Sequence, residues 1–145
     1  MLFRSSPYLF KGLDSLPKMK PMPVIGTIAC GTPILAEQNI EEYVNVPEGV
    51  NADFSLRCKG DSMIEARIFD GDLVFIRAQP DVENGEIAAV MVDDDTATLK
   101  RVVKQSGQLI LMPANSTYVP TFFTGSDMTR VRIIGKAISF LSDVR

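Results

Sequence analysis

From residue 52 onward the chain is cut every few residues by turn-forming residues, and the stretches between are short, apolar or alternating, which is the pattern of β-strands. "FSLRC" sets Phe54, Leu56 and Cys58 against Ser55 and Arg57 before the turn "KGDS". "LVFIRA" follows the turn Asp70-Gly71-Asp72, and "GEIAAVMV" leads through Asp93, Asp94 and Asp95 into "TATLKRVV" as an expected hairpin. "QLILMP" and "VRIIGKAISFL" complete the set, with Gly135 at an expected bulge or bend of the last strand. Strands with so little helix beside them must bury their apolar faces against one another. The fold class is therefore mainly β, a small partly closed β-barrel or two packed sheets.

Upstream the punctuation changes. Residues 1–22, with "SSPY" and "LPKMKPMP", are too broken by proline for a helix and read as an extended N-terminal arm or linker. The stretch "PVIGTIACGTPILAEQNIEEYVNVPEG" is mostly extended, Pro33 and Pro47 limit its strands, and "ILAEQNIEEY" is its one short helical candidate. The expected organisation is an arm, residues 1–22, and one domain, residues 23–145, which includes the segment around 28–33.

Composition removes several function classes. With 145 residues, 46% of them apolar and 23% charged, the chain has enough material for one hydrophobic core. A formal net charge of -3 offers no basic face for a phosphate backbone, and 22 residues ahead of the domain are too few for a helix-turn-helix unit. Direct DNA binding by this chain is not expected. No segment approaches the roughly 18 apolar residues of a membrane span, and "MLFRSSPYLFKGL" holds no signal-peptide core, so a cytoplasmic protein without membrane contact is expected. Cys30 and Cys58 lack the paired spacing of a zinc site and are too few for a disulfide framework. The absence of histidine excludes Ser-His-Asp and Cys-His catalysis together with imidazole metal sites. Neither GxxxxGK[ST] nor GxGxxG occurs, and no metal or cofactor is expected.

What remains is "CKGDSMIEARIFDGDLV", residues 58–74, in which Ser62 follows a glycine and an aspartate. A serine in such a turn is more often structural, because Asp and Ser bond their own backbone there. If Ser62 is a nucleophile, a lysine must take its proton. A lysine in water has a pKa of about 10.4, and burial lowers it by several units. Lys100 in "ATLKRVV" is flanked by Leu99, Val102 and Val103; Lys136 in "IIGKAISF" is its competitor, and the other lysines lie in polar or linker contexts. The plainer readings are an edge-strand lysine that blocks aggregation, a small buried hydrophobe at Cys30, and a solvated hairpin tip at Asp93–Asp95, whose spacing is not that of a calcium loop. The tight Gly60-Asp61-Ser62 turn is also suited to aim the backbone N–H groups of Asp61 and Ser62 at a developing oxyanion.

Taken in order, "PVIGTIACGTPILAEQNIEEY", "NADFSLRCKGDSMIEARIFDGDLVFI", "NGEIAAVMVDDDTATLKRV" and "LMPANSTYVP" resemble the autoproteolytic domain shared by LexA-type repressors, phage repressors and UmuD, over roughly residues 23–140. The resemblance implies Ser62 as nucleophile, Lys100 as general base and the Cys30-Gly31 peptide bond as the chain's own substrate. It also implies a homodimer, stimulation by a RecA filament on single-stranded DNA in the SOS response to DNA damage, and, in the UmuD branch, a translesion polymerase as later partner. The residues are compatible with this. Gly31 removes the side chain that would obstruct attack, Ala29 and Cys30 are small, and the 32 residues from Cys30 to Ser62 let the loop fold back intramolecularly. A UmuD-like standalone protein and a LexA-like repressor without its DNA-binding domain both fit. A third reading, from another class, is a catalytically silent dimerisation module of a phage-type repressor, joined through the final apolar strand.

Overall fold

The computed structural model describes residues 18–29, 31–93 and 96–144. Among these the strands are β1 (Met19–Ile25), β2 (Ile40–Pro47), β3 (Phe54–Arg57), β4 (Leu73–Ala78), β5 (Ile87–Val92), β6 (Thr98–Gln105), β7 (Gln108–Met112), β8 (Thr121–Thr124) and β9 (Val131–Leu141). The mainly β expectation holds. The strands form one sheet in the order β2-β1-β3-β4-β9-β5-β6-β7-β8, which is not closed into a barrel. Every neighbouring pair is antiparallel except β1 and β3. No helix of the described residues is long and apolar enough to cross a membrane.

The central strands explain why "LVFI" and "AAVM" read as continuous apolar runs. In β4, Val74 and Ile76 enter one core cluster and Leu73 and Phe75 another; in β5, Ala89 and Met91 part in the same way from Ala88 and Val90. Both faces are buried there, so no polar alternation survives. The cluster holding Phe54, Leu56, Cys58, Met63, Leu99 and Ile134 is the one that carries the Ser62 turn.

Three local features depart from or refine the sequence reading. Strand β1 begins at Met19, inside the segment read as an arm, and Met22 is buried. Its Pro21 and Pro23 are tolerated because β3 pairs only with Val24 and Ile25; before that point β1 has one partner, and alternate N–H groups turn away from it. The helical candidate shrinks to one 3-10 turn, Glu37–Asn39, after which Ile40 enters β2. Asn39 is responsible, since its buried side chain bonds the preceding loop, a local alternative to helix that asparagine favours. The aspartate hairpin tip is not merely solvated: Asp93 takes a positive φ of 58° and accepts from Arg130 Nε and Nη2, each at 2.8 Å, while Asp94 and Asp95 lie outside the described residues.

Gly135 sits between two register slips, one opposite Ala89/Val90 of β5 and one opposite Phe75/Ile76 of β4. A Cβ there would stand 2.4 Å from Ile76 Cγ2 and 2.5 Å from the Arg77 carbonyl oxygen. Replacing it by alanine forces the two strands apart. We expect Gly135→Ala to cost about 1–3 kcal/mol, measured as a lower urea midpoint at unchanged slope.

Candidate active site

Ser62 lies in the connection from β3 to β4, and that connection is tied down at its base. Cys58 N–H donates to Asp72 O at 2.8 Å, Gly71 N–H returns to Cys58 O at 2.8 Å, and Gly60 N–H donates to Asp70 Oδ1 at 2.7 Å. Gly60 adopts φ 83°, where a side chain would be strained. Asp72 is buried and its Oδ2 accepts the Phe69 N–H at 2.8 Å, so the two sequence turns, Gly-Asp-Ser and Asp-Gly-Asp, close one loop. Met63, 1% exposed, anchors that loop in the core beneath Ser62.

A second loop, residues 113–118 between β7 and β8, grips the same turn from the other side. Glu65 N–H donates to Ala114 O at 2.7 Å and Glu65 Oε2 accepts the Ser116 N–H at 2.7 Å. Asn115 Nδ2 donates to Asp61 O at 2.8 Å, and the Tyr118 hydroxyl donates to the Asp61 carboxylate. That contact raises the Tyr118 pKa, because losing the phenol proton would break the bond and place two negative charges together. Asp61 therefore bonds across to another loop, where the sequence suggested a cap of its own turn. The motif "LMPANSTYVP" belonged to the resemblance, but nothing in the sequence gave Asn115 or Tyr118 this role.

Ser62 lines a narrow cavity of ≈ 70 Å³ together with Leu56, Cys58, Met63, Thr98 and Leu99. Lys100, opposite Ala88 of β5, bonds two residues of that lining: its Nζ donates to Thr98 Oγ1 at 2.9 Å and to Leu99 O at 3.0 Å. The amine's bonds go to these two groups, not to Ser62. Burial lowers the Lys100 pKa from the ordinary lysine value, against a smaller opposing effect of Cys58. Burial raises the pKa of the free Cys58 thiol, and Asp72 and Asp70 raise it further while Lys100 opposes, so Cys58 stays protonated at neutral pH. Lys136, the competing base, is instead ion-paired to Glu86 Oε2 at 2.5 Å, whereas the bonds of Lys100 go to two residues of the Ser62 cavity. Among the described residues, the backbone N–H groups of Asp61 and Ser62 have no hydrogen-bond partner, which leaves both able to serve an oxyanion.

The expected cleavage segment is elsewhere. Cys30 itself lies outside the described residues. On either side of it, Thr32 N–H and Oγ1 donate to Ala29 O at 3.2 and 2.7 Å, and Gly31 takes φ 78°, making a tight turn. Asn39, 2% exposed, fastens this turn: its Oδ1 accepts the Ala29 N–H at 2.9 Å, and its Nδ2 faces Thr32 Oγ1 at 3.0 Å and Pro33 O at 2.9 Å. Ala29 and Gly31 line a separate cavity of ≈ 310 Å³ beside Met91 and Arg132, and none of its lining residues borders the Ser62 cavity. The structure thus places Ser62 in one cavity, bonds Lys100 to two residues that line it, and holds the flanks of the Cys30-Gly31 bond at another. Loss of the Asn39 amide takes a partner from the part-buried backbone groups of Ala29, Pro33 and Ile34, at up to about 1 kcal/mol each. We expect Asn39→Ala to speed cutting within residues 29–34 by an added protease at least roughly tenfold, read by mass spectrometry of the first fragments.

Comparison with known proteins bears on this geometry. A family model described as Peptidase S24-like matches residues 23–138. The LexA repressor of Halalkalibacterium halodurans is 43% identical over 120 residues, covering 81% of this chain and 56% of that protein. For the LexA repressor of a Nocardioides species the identity is 44% over 134 residues, covering 90% of this chain and 52% of the relative. For that of Staphylococcus aureus it is 43% over 128 residues, covering 85% and 59%. The match therefore spans little more than half the length of these relatives.

Proposed function

Because the chain belongs to the Peptidase S24-like family, we propose that it is a self-cleaving serine endopeptidase that cuts its own Cys30-Gly31 bond with a Ser62–Lys100 dyad. The observation that carries this reading is a lysine with depressed pKa, held by Thr98 and Leu99 on the wall of the cavity that Ser62 lines. Ser62 Oγ attacks the Cys30 carbonyl carbon and Lys100 Nζ takes its proton; the N–H groups of Asp61 and Ser62 receive the oxyanion. Lys100 then returns the proton to the departing Gly31 amine. Residues 1–30 remain as an ester on Ser62 until a water, deprotonated by Lys100, releases them. Intramolecular delivery replaces substrate affinity, and each chain turns over once.

The bonds from Asn39 supply a reason for latency. The 29–34 segment must leave them before its carbonyl reaches Ser62, so the resting chain stays intact, and a RecA filament on single-stranded DNA acts by favouring the docked pose in the SOS response. The similarity to three LexA repressors favours a LexA-like role in transcription regulation over a UmuD-like one with a polymerase partner. A cytoplasmic homodimer is part of the proposal. Residues 137–141 of β9 have β4 on one side and, among the described residues, no strand on the other, and they end in the exposed Phe140 and Leu141. That free edge suits antiparallel pairing with a second copy.

Intact mass followed over time at pH 7 and about pH 10, with and without RecA on single-stranded DNA, tests the reading. Fragments 1–30 and 31–145 are expected, faster at high pH and with the filament. A chain that stays whole under every condition would leave the dimerisation module as the function.

A further inference from the structure

We propose that Asn115 is a positioning residue that sets the direction of the Ser62 backbone N–H, an inference that rests on the self-cleavage reading above. The Asp61-Ser62 peptide is trans and planar, so its C=O and N–H point to opposite sides, and whatever fixes one fixes the other. Asn115 Nδ2 holds that carbonyl at 2.8 Å. The amide cannot be turned around: its Oδ1 accepts from Thr117 N–H at 3.0 Å and Thr117 Oγ1 at 2.7 Å, and a backbone N–H only donates. The donor end therefore faces Asp61 O, which only accepts.

Asn115 is 4% exposed, which limits competition from water at its amide. The opposite side of the same peptide carries the Ser62 N–H, which has no partner among the described residues and is one of the two donors assigned above to the oxyanion. The other bonds from the 113–118 loop go to Glu65 and to the Asp61 side chain, so within that loop only Asn115 holds this peptide; the turn's own Ile64 N–H adds a longer bond to Asp61 O at 3.4 Å.

Asn115→Asp tests this at nearly constant size. It keeps the acceptor for Thr117 and sets a second acceptor against Asp61 O, so the peptide is pushed out of its plane. The readouts are self-cleavage and the rate at which a fluorophosphonate labels Ser62, each against pH. In labelling, a bond forms from Ser62 Oγ to phosphorus, fluoride leaves, and Lys100 takes the proton. A misdirected oxyanion donor lowers the plateau of both rates between about tenfold and a hundredfold, while the pH midpoint set by Lys100 stays in place. Thr117→Val, which removes one of the two donors that orient Asn115, shows the same pattern to a smaller degree and serves where Asn115→Asp melts near the assay temperature. Tyr118→Phe, which loosens Asp61 through its side chain alone, stays within twofold of wild type.

A folded Asn115→Asp protein reacting at the wild-type rate would overturn the proposal, as would equal losses in Tyr118→Phe, since general loosening of the turn would then be the cause. If the wild-type chain neither cleaves nor labels at Ser62, the peptidase reading falls and this one with it. Wild-type reactivity with an unaffected Asn115→Asp variant removes this inference alone.

Discussion

Ser62→Ala is expected to stay at full length under conditions that cut the wild-type chain completely, a loss on the order of 10⁴-fold or more in self-cleavage rate. There is no histidine to activate a water or another nucleophile. The thiol in the cavity, Cys58, is buried and held in its protonated form by desolvation and by Asp72 and Asp70. The fold should not register the change. Ser62 is half-buried in a turn fixed by Gly60, Met63 and the 113–118 loop, and its own hydroxyl has no partner among the described residues. A thermal unfolding midpoint equal to wild type, within the ±0.5 kcal/mol usual for such a site, together with an intact mass that never changes, is the expected pair of results. Cleavage of Ser62→Ala at the wild-type rate would remove Ser62 from the mechanism whatever the family.

The chain announced some of this and concealed the rest for physical reasons. Strand content was legible because turn chemistry is local: Asp70-Gly71-Asp72 and Gly60 act within a few residues. Sheet order was not, since the placement of β9 between β4 and β5 is decided by burial between segments roughly 40 to 70 residues apart. The start of β1 was hidden by Pro21 and Pro23, which argue against a strand until its single partner along residues 19–23 is known. At the site, motif order pointed to Ser62, Lys100 and the Cys30-Gly31 bond. The supporting polar residues did not stand out, because Asn39, Asn115 and Thr98 act through bonds to backbone or to Lys100 that carry no spacing rule. Nor could spacing tell where the cleavage segment rests. Ala29, Thr32 and Pro33 are held by Asn39 in one pose, and only the three-dimensional bonds distinguish that pose from one in the Ser62 cavity.

The second large effect separates activity from stability. Lys100→Met should abolish cleavage as completely as Ser62→Ala, and Lys100→Arg should do the same, because a guanidinium does not give up its proton in this pH range. In the wild-type chain the rate should climb with pH and level off below the ordinary lysine value of 10.5, since burial favours the neutral amine. The surroundings match that neutral form. An uncharged amine has two N–H bonds and one lone pair, Thr98 Oγ1 and Leu99 O accept the two, and the lone pair is what remains for the serine proton. The cost of this arrangement appears in folding. With a folded pKa below the unfolded one, the unfolded chain binds more protons in the window between them, so stability rises with pH through that window and is diminished below it. Lys100→Met has no charge to bury, so it should be more stable than wild type at pH 7 and should lose the rise toward pH 10, both read from urea unfolding at several pH values. A lysine kept merely to support the strand would give the reverse, a variant less stable at every pH. Activity lost and stability gained by the same substitution is what a residue held for its chemistry predicts.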